Sequence, residues 1–274
     1  MQHQIIQLKE HYRLQGGTLT AIAAGFPFDY EFEWKRPAVI VVPGGGYGMV
    51  SKREGEPVAF QFLAKGFQVF ILDYLVAPNA RYPEQLLELA CAVDYVKKNA
   101  QTYSVNPDEV FVVGFSAGGH LSGNLSTDYT QAVQAYGAPL DCKVTAAGLC
   151  YPVITSKKGH FGSYQNLLNG YTDEEKQELM PKLNLNEIVC EHTAPAFIWA
   201  TSTDKVVPPS NALRYALALD DQEILYELHV YPTGVHGLST CDGEVNPPAP
   251  HLKRMVRWVD DCAEFFRQFV KESY

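Results

Sequence analysis

The stretch from Val110 to His120 constrains the fold of this chain more than any other. Val110-Phe111-Val112-Val113 is a strand-forming run that breaks into Gly114-Phe115-Ser116-Ala117-Gly118, and a segment able to form a helix follows from Leu121 onward. A serine with glycine two positions to either side, between a buried strand and a helix, predicts a sharp turn that lifts its hydroxyl clear of the backbone. The reason is steric. Neighbouring chain crowds such a turn, and Gly114 and Gly118 have no Cβ to collide with it. The helix after the turn aims backbone N–H groups and the positive end of its dipole at the same point, where they would stabilise an oxyanion.

Short apolar runs and helical patterns alternate along the rest of the chain. Residues 38–42, 67–72, 144–150, 196–200 and 224–231 read as strands, and 18–24 as an edge strand. Helical spacing covers 56–65, 81–100, 208–220 and 252–270. Runs as continuously apolar as Ala38-Val39-Ile40-Val41-Val42 suit a sheet buried on both faces, which argues for mostly parallel strands with helices on either side. Residues 1–15 are mixed in polarity, and Phe26-Pro27-Phe28 and Trp34-Lys35-Arg36-Pro37 punctuate a loop. Residues 153–193 break the rhythm. They hold no buried strand and are rich in Gly, Tyr, Asn and charge, with a helix start at Thr172-Asp173-Glu174-Glu175. An insertion after a strand lies where such sheets bind ligands, so it reads as a small lid, with a plain surface excursion as the alternative. The expectation is one α/β domain over residues 1–274, a mostly parallel twisted sheet with helices on both faces, carrying this insertion.

Composition removes several classes of function. A chain of 274 residues with net charge −9 and no basic block is a poor partner for nucleic acid. Its longest apolar runs, such as 38–42 and 69–72, are too short to cross a membrane. Met1-Gln2-His3-Gln4 opens no cationic region followed by an apolar stretch, which predicts no signal peptide and a cytoplasmic protein. The six cysteines (91, 142, 150, 190, 241, 262) form no Cys-x-x-Cys pair and are expected to be reduced thiols. No residue pattern calls for a metal or an organic cofactor. Oligomeric state stays open, a homo-oligomer included.

A serine hydroxyl needs a base, and the base needs an orienting group. In sheets of this kind the chain order is Ser, acid, His. His236, in Thr233-Gly234-Val235-His236-Gly237, follows the 224–231 strand and is the expected base. His120 sits one turn after the serine and is expected to pack or cap, His229 lies inside a strand, and His160 and His192 belong to the insertion and could reach substrate. Asp204 follows the 196–200 strand and is the expected orienting acid. Asp220 and Asp221 end a helix on the opposite edge, Asp242 comes after the histidine, and Asp73 precedes the serine and is expected to hold a loop together. Ala117 is expected to supply one oxyanion donor, and Pro43-Gly44-Gly45-Gly46-Tyr47 can turn bare N–H groups toward a substrate oxygen. That loop has neither the Lys-Ser/Thr nor the Gly-x-Gly-x-x-Gly of a nucleotide site.

With these residues in place the chain resembles the α/β-hydrolase superfamily over almost its whole length. It is similar to the acetyl-esterase and sugar-esterase-like branch related to the hormone-sensitive-lipase group. The resemblance rests on Pro43-Gly44-Gly45-Gly46-Tyr47, Asp73-Tyr74-Leu75-Val76-Ala77-Pro78, Gly114-Phe115-Ser116-Ala117-Gly118-Gly119-His120, Asp204-Lys205-Val206-Val207-Pro208 and Val235-His236-Gly237. It implies a triad of Ser116, Asp204 and His236, with N–H donors from Gly45, Gly46 and Ala117. The lipase-type loop begins with histidine where this chain has Pro43, so a supporting hydrogen bond is lost there. The implied activity is hydrolysis of short-acyl esters, acetylated sugars or oligosaccharides among them, with a small-molecule ester as partner. Tyr47, Tyr151, Phe161 and Tyr164 are the expected pocket walls. An arylformamidase or small amidase would use the same triad, and a non-catalytic binding protein could keep the fold.

Overall fold

The apolar run at 38–42 serves two cores at once. Ala38, Ile40 and Val42 pack into the cluster on one face of the sheet, and Val39 and Val41 into the cluster on the other. Val110 and Val112 divide from Phe111, Val113 and Phe115 in the same way, as the period of two along a strand requires. The computed structural model describes residues 1–25 and 34–271, so the expected loop signal at Phe26-Pro27-Phe28 lies outside the described residues.

The described residues form an eight-stranded sheet. Its strands are β1 (Gln2–Gln7), β2 (Thr18–Ala23), β3 (Arg36–Val42), β4 (Gln68–Asp73), β5 (Val105–Phe115), β6 (Ala147–Cys150), β7 (Ala196–Thr201) and β8 (Tyr226–Tyr231). Their order is β1-β2-β4-β3-β5-β6-β7-β8. β1 and β2 pair antiparallel, β2 meets β4 antiparallel, and every pairing from β4 across to β8 is parallel. The helices are α1 (Glu56–Ala64), α2 (Glu84–Lys98), α3 (Ala100–Tyr103), α4 (Ala117–Thr127), α5 (Thr130–Tyr136), α6 (Phe161–Leu167), α7 (Asp173–Leu183), α8 (Ser210–Asp220), α9 (Leu252–Met255) and α10 (Trp258–Arg267). α1 and α10 cover one face, where Phe266 stacks on Phe111 with ring centroids 4.5 Å apart. α2, α4 and α8 cover the other. The fold is that of the α/β-hydrolases.

One strand was not expected, and three expectations need correction. β1 carries no apolar period because Ile6 alone among its residues is buried, so polarity does not reveal it. α4 begins at Ala117 rather than Leu121, so Gly118, Gly119 and His120 are already helical. The pattern over 252–270 is two helices, parted at Val256-Arg257. Asp73 is exposed, and the loop after β4 is held instead by Glu88, whose Oε2 accepts the Leu75 N–H at 2.8 Å. Residues 153–193 contain α6, α7 and a 3-10 turn at Leu185–Glu187, and no strand. α7 starts on a capping box. The Thr172 hydroxyl accepts the Glu175 N–H, and the Glu175 carboxylate accepts the Thr172 N–H at 2.7 Å.

Candidate active site

Ser116, Asp204 and His236 each follow the carboxyl end of a parallel strand: β5, β7 and β8 respectively. Ser116 has φ 54 and ψ −115, a left-handed conformation that costs free energy in a residue with a Cβ. Three backbone bonds hold it there. Its N–H donates to the Cys150 carbonyl, and its own carbonyl accepts from the N–H groups of His120 and Val153, all at 3.0–3.1 Å. The turn is also closed from below. A Cβ on Gly118 would stand 2.2 Å from the Val42 carbonyl oxygen, so α4 sits directly against the end of β3.

The three side chains form one hydrogen-bonded chain. His236 Nε2 lies 2.8 Å from Ser116 Oγ, and His236 Nδ1 lies 2.6 Å from Asp204 Oδ2. A carboxylate only accepts, so Nδ1 carries the proton, Nε2 is the free base, and the serine hydroxyl donates to it. Asp204 is buried, and its other oxygen accepts the N–H groups of Val206 (2.8 Å) and Val207 (3.0 Å). Those two bonds fix the orientation of the carboxylate. The loop carrying His236 is tied back to β7, because the hydroxyls of Thr201 and Thr203 both donate to the Gly234 carbonyl.

The glycine loop after β3 has its carbonyls committed. Those of Pro43, Gly44, Gly45, Gly46 and Tyr47 accept, in turn, from the Tyr74 hydroxyl, the Ser51 N–H, the Gly48 and Met49 N–H groups, the Asn166 amide and the Ala77 N–H. Gly45 has φ 126, and a Cβ there would meet the Met49 carbonyl oxygen at 2.1 Å. Among the described residues no acceptor pairs with the N–H of Gly45 or Gly46. Ala117, as the first residue of α4, likewise has an N–H with no acceptor inside its helix. A loop with its carbonyls held and its donors unspent can hydrogen-bond an anionic oxygen.

Ser116 and His236 open into a cavity of about 330 Å³, shared with Gly45, Gly46, Met49, Ser51, Arg53, Glu54, His160, Asn166, Val206 and Gly237. A larger cleft of about 470 Å³, lined by residues including Cys241, Pro250, Leu252 and Val256, contains neither Ser116 nor His236. The four expected pocket walls do not line the Ser116 cavity. Tyr47 is buried with its hydroxyl 2.8 Å from His120 Nδ1, and Tyr151 is buried with its hydroxyl donating to Glu54 Oε1 at 2.7 Å. Tyr164 donates to the Leu183 carbonyl, and with the exposed Phe161 it lines a separate groove of about 380 Å³ shared by α6 and α7. A tyrosine with a polar tip and an apolar body satisfies both by turning inward, which leaves no tyrosine ring for the cavity.

The histidines divide as follows. His120 is buried, its Nε2–H donates to the Leu183 carbonyl at 2.9 Å, and burial pulls its pKa down to about 4, so it stays neutral. His160 lines the Ser116 cavity, whereas His192 packs edge-on against Tyr129. His229 pairs with Glu227 at 2.6 Å within β8. Glu54 and Asn166 carried no sequence signal, because Tyr151 and Gly46, to which they tie other segments, lie far away along the chain. Among the described residues no group of three or more His, Cys, Asp and Glu side chains is arranged to hold a metal ion, and no helix is long and apolar enough to cross a membrane. All six cysteines are free thiols.

The BD-FAE family profile matches residues 29–219, more than half of the chain. The chain belongs to the BD-FAE family. It stands in the esterase branch of the α/β-hydrolases. A relative from Butyrivibrio fibrisolvens named endo-1,4-beta-xylanase B is 33% identical over 226 residues, which is 80% of this chain and 35% of that protein. An acetylxylan esterase from Xylanibacter ruminicola is 30% identical over 207 residues, 73% of this chain and 40% of that one. The chain therefore spans well under half the length of these curated relatives. Among solved structures, an acetyl ester-xyloside bifunctional hydrolase from Caldicellulosiruptor lactoaceticus superposes with a TM-score of 0.80 at 28% identity, covering 98% of this chain and 97% of that one.

Proposed function

We propose that the protein is a serine carboxylesterase that removes short acyl groups, acetyl above all, from sugars or oligosaccharides. Ser116 Oγ attacks the ester carbonyl as its proton passes to His236 Nε2, and Asp204 holds the imidazolium that results. The tetrahedral oxyanion rests on the N–H groups of Gly45, Gly46 and Ala117. His236 gives its proton to the departing sugar oxygen, leaving Ser116 acylated. Water then adds to the acyl group, its proton taken by His236, and the second tetrahedral intermediate collapses to free acid and serine.

The observation that carries this reading is the Ser116–His236–Asp204 chain, with bonds of 2.8 and 2.6 Å, opening beside unspent N–H donors. The cavity supports the short acyl group. Its apolar side chains are Met49 and Val206, too few to wall a long alkyl chain, while Ser51, Arg53, His160 and Asn166 offer polar groups to a hydroxylated leaving group. Relatives named for acetylxylan and acetyl ester-xyloside hydrolysis point the same way. Residues 153–193, which bring His160 and Asn166 to the cavity, are the proposed lid.

A fluorophosphonate should label the wild type on Ser116 and leave Ser116→Ala unlabelled. Aryl esters from acetate to octanoate should be cleaved at falling rates, and an acetylated sugar should outrun a formyl-aniline. Equal turnover by wild type and Ser116→Ala would sink the mechanism. A preference for the formyl-aniline would make the protein an amidase instead.

A further inference from the structure

Glu54 is 4% exposed, and its two carboxylate oxygens accept hydrogen bonds from different loops, one from within its own β3–α1 connection and one from the segment after β6. Oε2 accepts the Gly44 N–H at 2.8 Å, at the base of the glycine loop. Oε1 accepts the Tyr151 hydroxyl at 2.7 Å, just past β6. The Tyr151 hydroxyl in turn accepts the Ser239 N–H at 2.9 Å, three residues beyond His236, and the Tyr151 ring stands edge-on to the His236 imidazole with centroids 5.1 Å apart. The same short turn makes a second tie, because the Ser239 hydroxyl donates to the Arg53 carbonyl at 2.6 Å. One buried carboxylate therefore joins the loop that carries the oxyanion donors to the loop that carries the base.

We propose that Glu54 is a positioning residue that sets the glycine loop and the His236 loop in one frame, so that donors and base meet the same carbonyl carbon. The proposal rests on the esterase reading for its kinetic consequence, though not for its structural one. Pro43 has neither an N–H nor a polar side chain with which to anchor the loop, and Glu54 supplies an anchor one residue further on, at Gly44. Burial and the adjacent Glu54 push the Tyr151 hydroxyl well above its ordinary pKa, so it stays a donor to the carboxylate. Oxyanion stabilisation depends on donors held before the charge develops, so loosening this frame should weaken the transition state more than substrate binding.

Glu54→Gln tests this with little change in shape. Its amide NH₂ must face either the Gly44 N–H, which loses that bond, or the Tyr151 hydroxyl, whose O–H then loses its acceptor and must turn away. Titration of Ser116 to completion with a fluorophosphonate counts competent sites, and turnover is then expressed per site. For an aryl acetate, per-site kcat should fall roughly 10- to 100-fold while KM stays within about threefold. A merely structural role would lower the count of sites and leave per-site kcat unchanged, which would overturn the proposal. Hydrogen exchange supplies a readout that needs no activity. Glu54→Gln should raise amide exchange in residues 43–49 and in 236–241 together, and loosening of one loop alone, or of neither, would also overturn it. Tyr151→Phe, which removes the middle link, should loosen 236–241 as well and serves if the Gln variant does not fold. Wild type that neither hydrolyses esters nor labels on Ser116 counts against the esterase reading, and the exchange data then decide the role of Glu54 by themselves.

Discussion

His236 Nε2 reaches to within 2.8 Å of Ser116 Oγ although β6 and β7 lie between their strands in the sheet. Three strand spacings amount to about 14 Å, so the histidine loop must lean back across the sheet edge to make this contact. It is held in that posture at several points. Thr201 and Thr203 hold Gly234, Tyr151 holds the Ser239 N–H, and the Trp258 indole N–H donates to the Ser239 carbonyl at 2.9 Å. The position of the His236 imidazole is thus set by residues outside the Ser116 cavity.

Asp204→Asn should keep the fold and lose most of the activity. An amide in place of Oδ2 can donate to Nδ1, which would leave the proton on Nε2, where a base must have none. The expected loss in kcat is on the order of 10⁴-fold, with KM little changed. Steady-state kinetics on an aryl acetate measures it, and a loss below about tenfold would rule out Asp204 as the orienting group.

Gly118→Ala should destabilise the protein and inactivate it together. The new Cβ would lie 2.2 Å from the Val42 carbonyl oxygen and 2.3 Å from that of Pro43, so α4 has to lift off β3 and carry Ser116 with it. Overpacking of this kind costs about 1–3 kcal/mol or more. Gly243→Ala, with nothing within 4 Å of the added methyl, is the control and should change stability by no more than about 0.5 kcal/mol. Thermal melts and fluorophosphonate labelling compare the two.

Glu88→Gln should change how stability depends on pH. Burial pushes the Glu88 carboxyl up to about 8, against the 4.5 of a free side chain. Between those values the folded state holds a proton that the unfolded state has released, so stability falls as pH rises through the window and is highest below it. His120, pulled down to about 4, has the opposite slope, losing stability as pH falls from 6.5. Taking the difference between wild type and Glu88→Gln at each pH isolates the glutamate. The variant should gain on wild type steadily from pH 4.5 to 8 in melting temperature, and a flat difference would refute the assignment.

The local elements were legible because their signals are local. Gly114, Ser116 and Gly118 mark the turn through their spacing alone, and the runs at 38–42 and 110–113 mark strands buried on both faces. The order serine, acid, histidine, each after a strand, pointed to Ser116, Asp204 and His236, and the fold joins these three side chains in one hydrogen-bonded chain. β1 was not legible, since a strand with one buried residue has no period to read.

Sequence by itself determined which residues could act, because the nucleophile turn, the strand ends and the glycine loop are written in short stretches of chain. Tertiary structure decided what surrounds them. Tyr47, Tyr151 and Tyr164 turned inward to hydrogen-bond partners distant in sequence, and the cavity was left to glycines, Met49, Ser51, Arg53, Glu54, His160, Asn166 and Val206 beside Ser116 and His236. Glu54 meets Gly44, Tyr151 and, through it, Ser239, groups that only the folded sheet edge brings together. Spacing along a chain records a local bond, whereas a carboxylate joining loops from three strands leaves no period behind it.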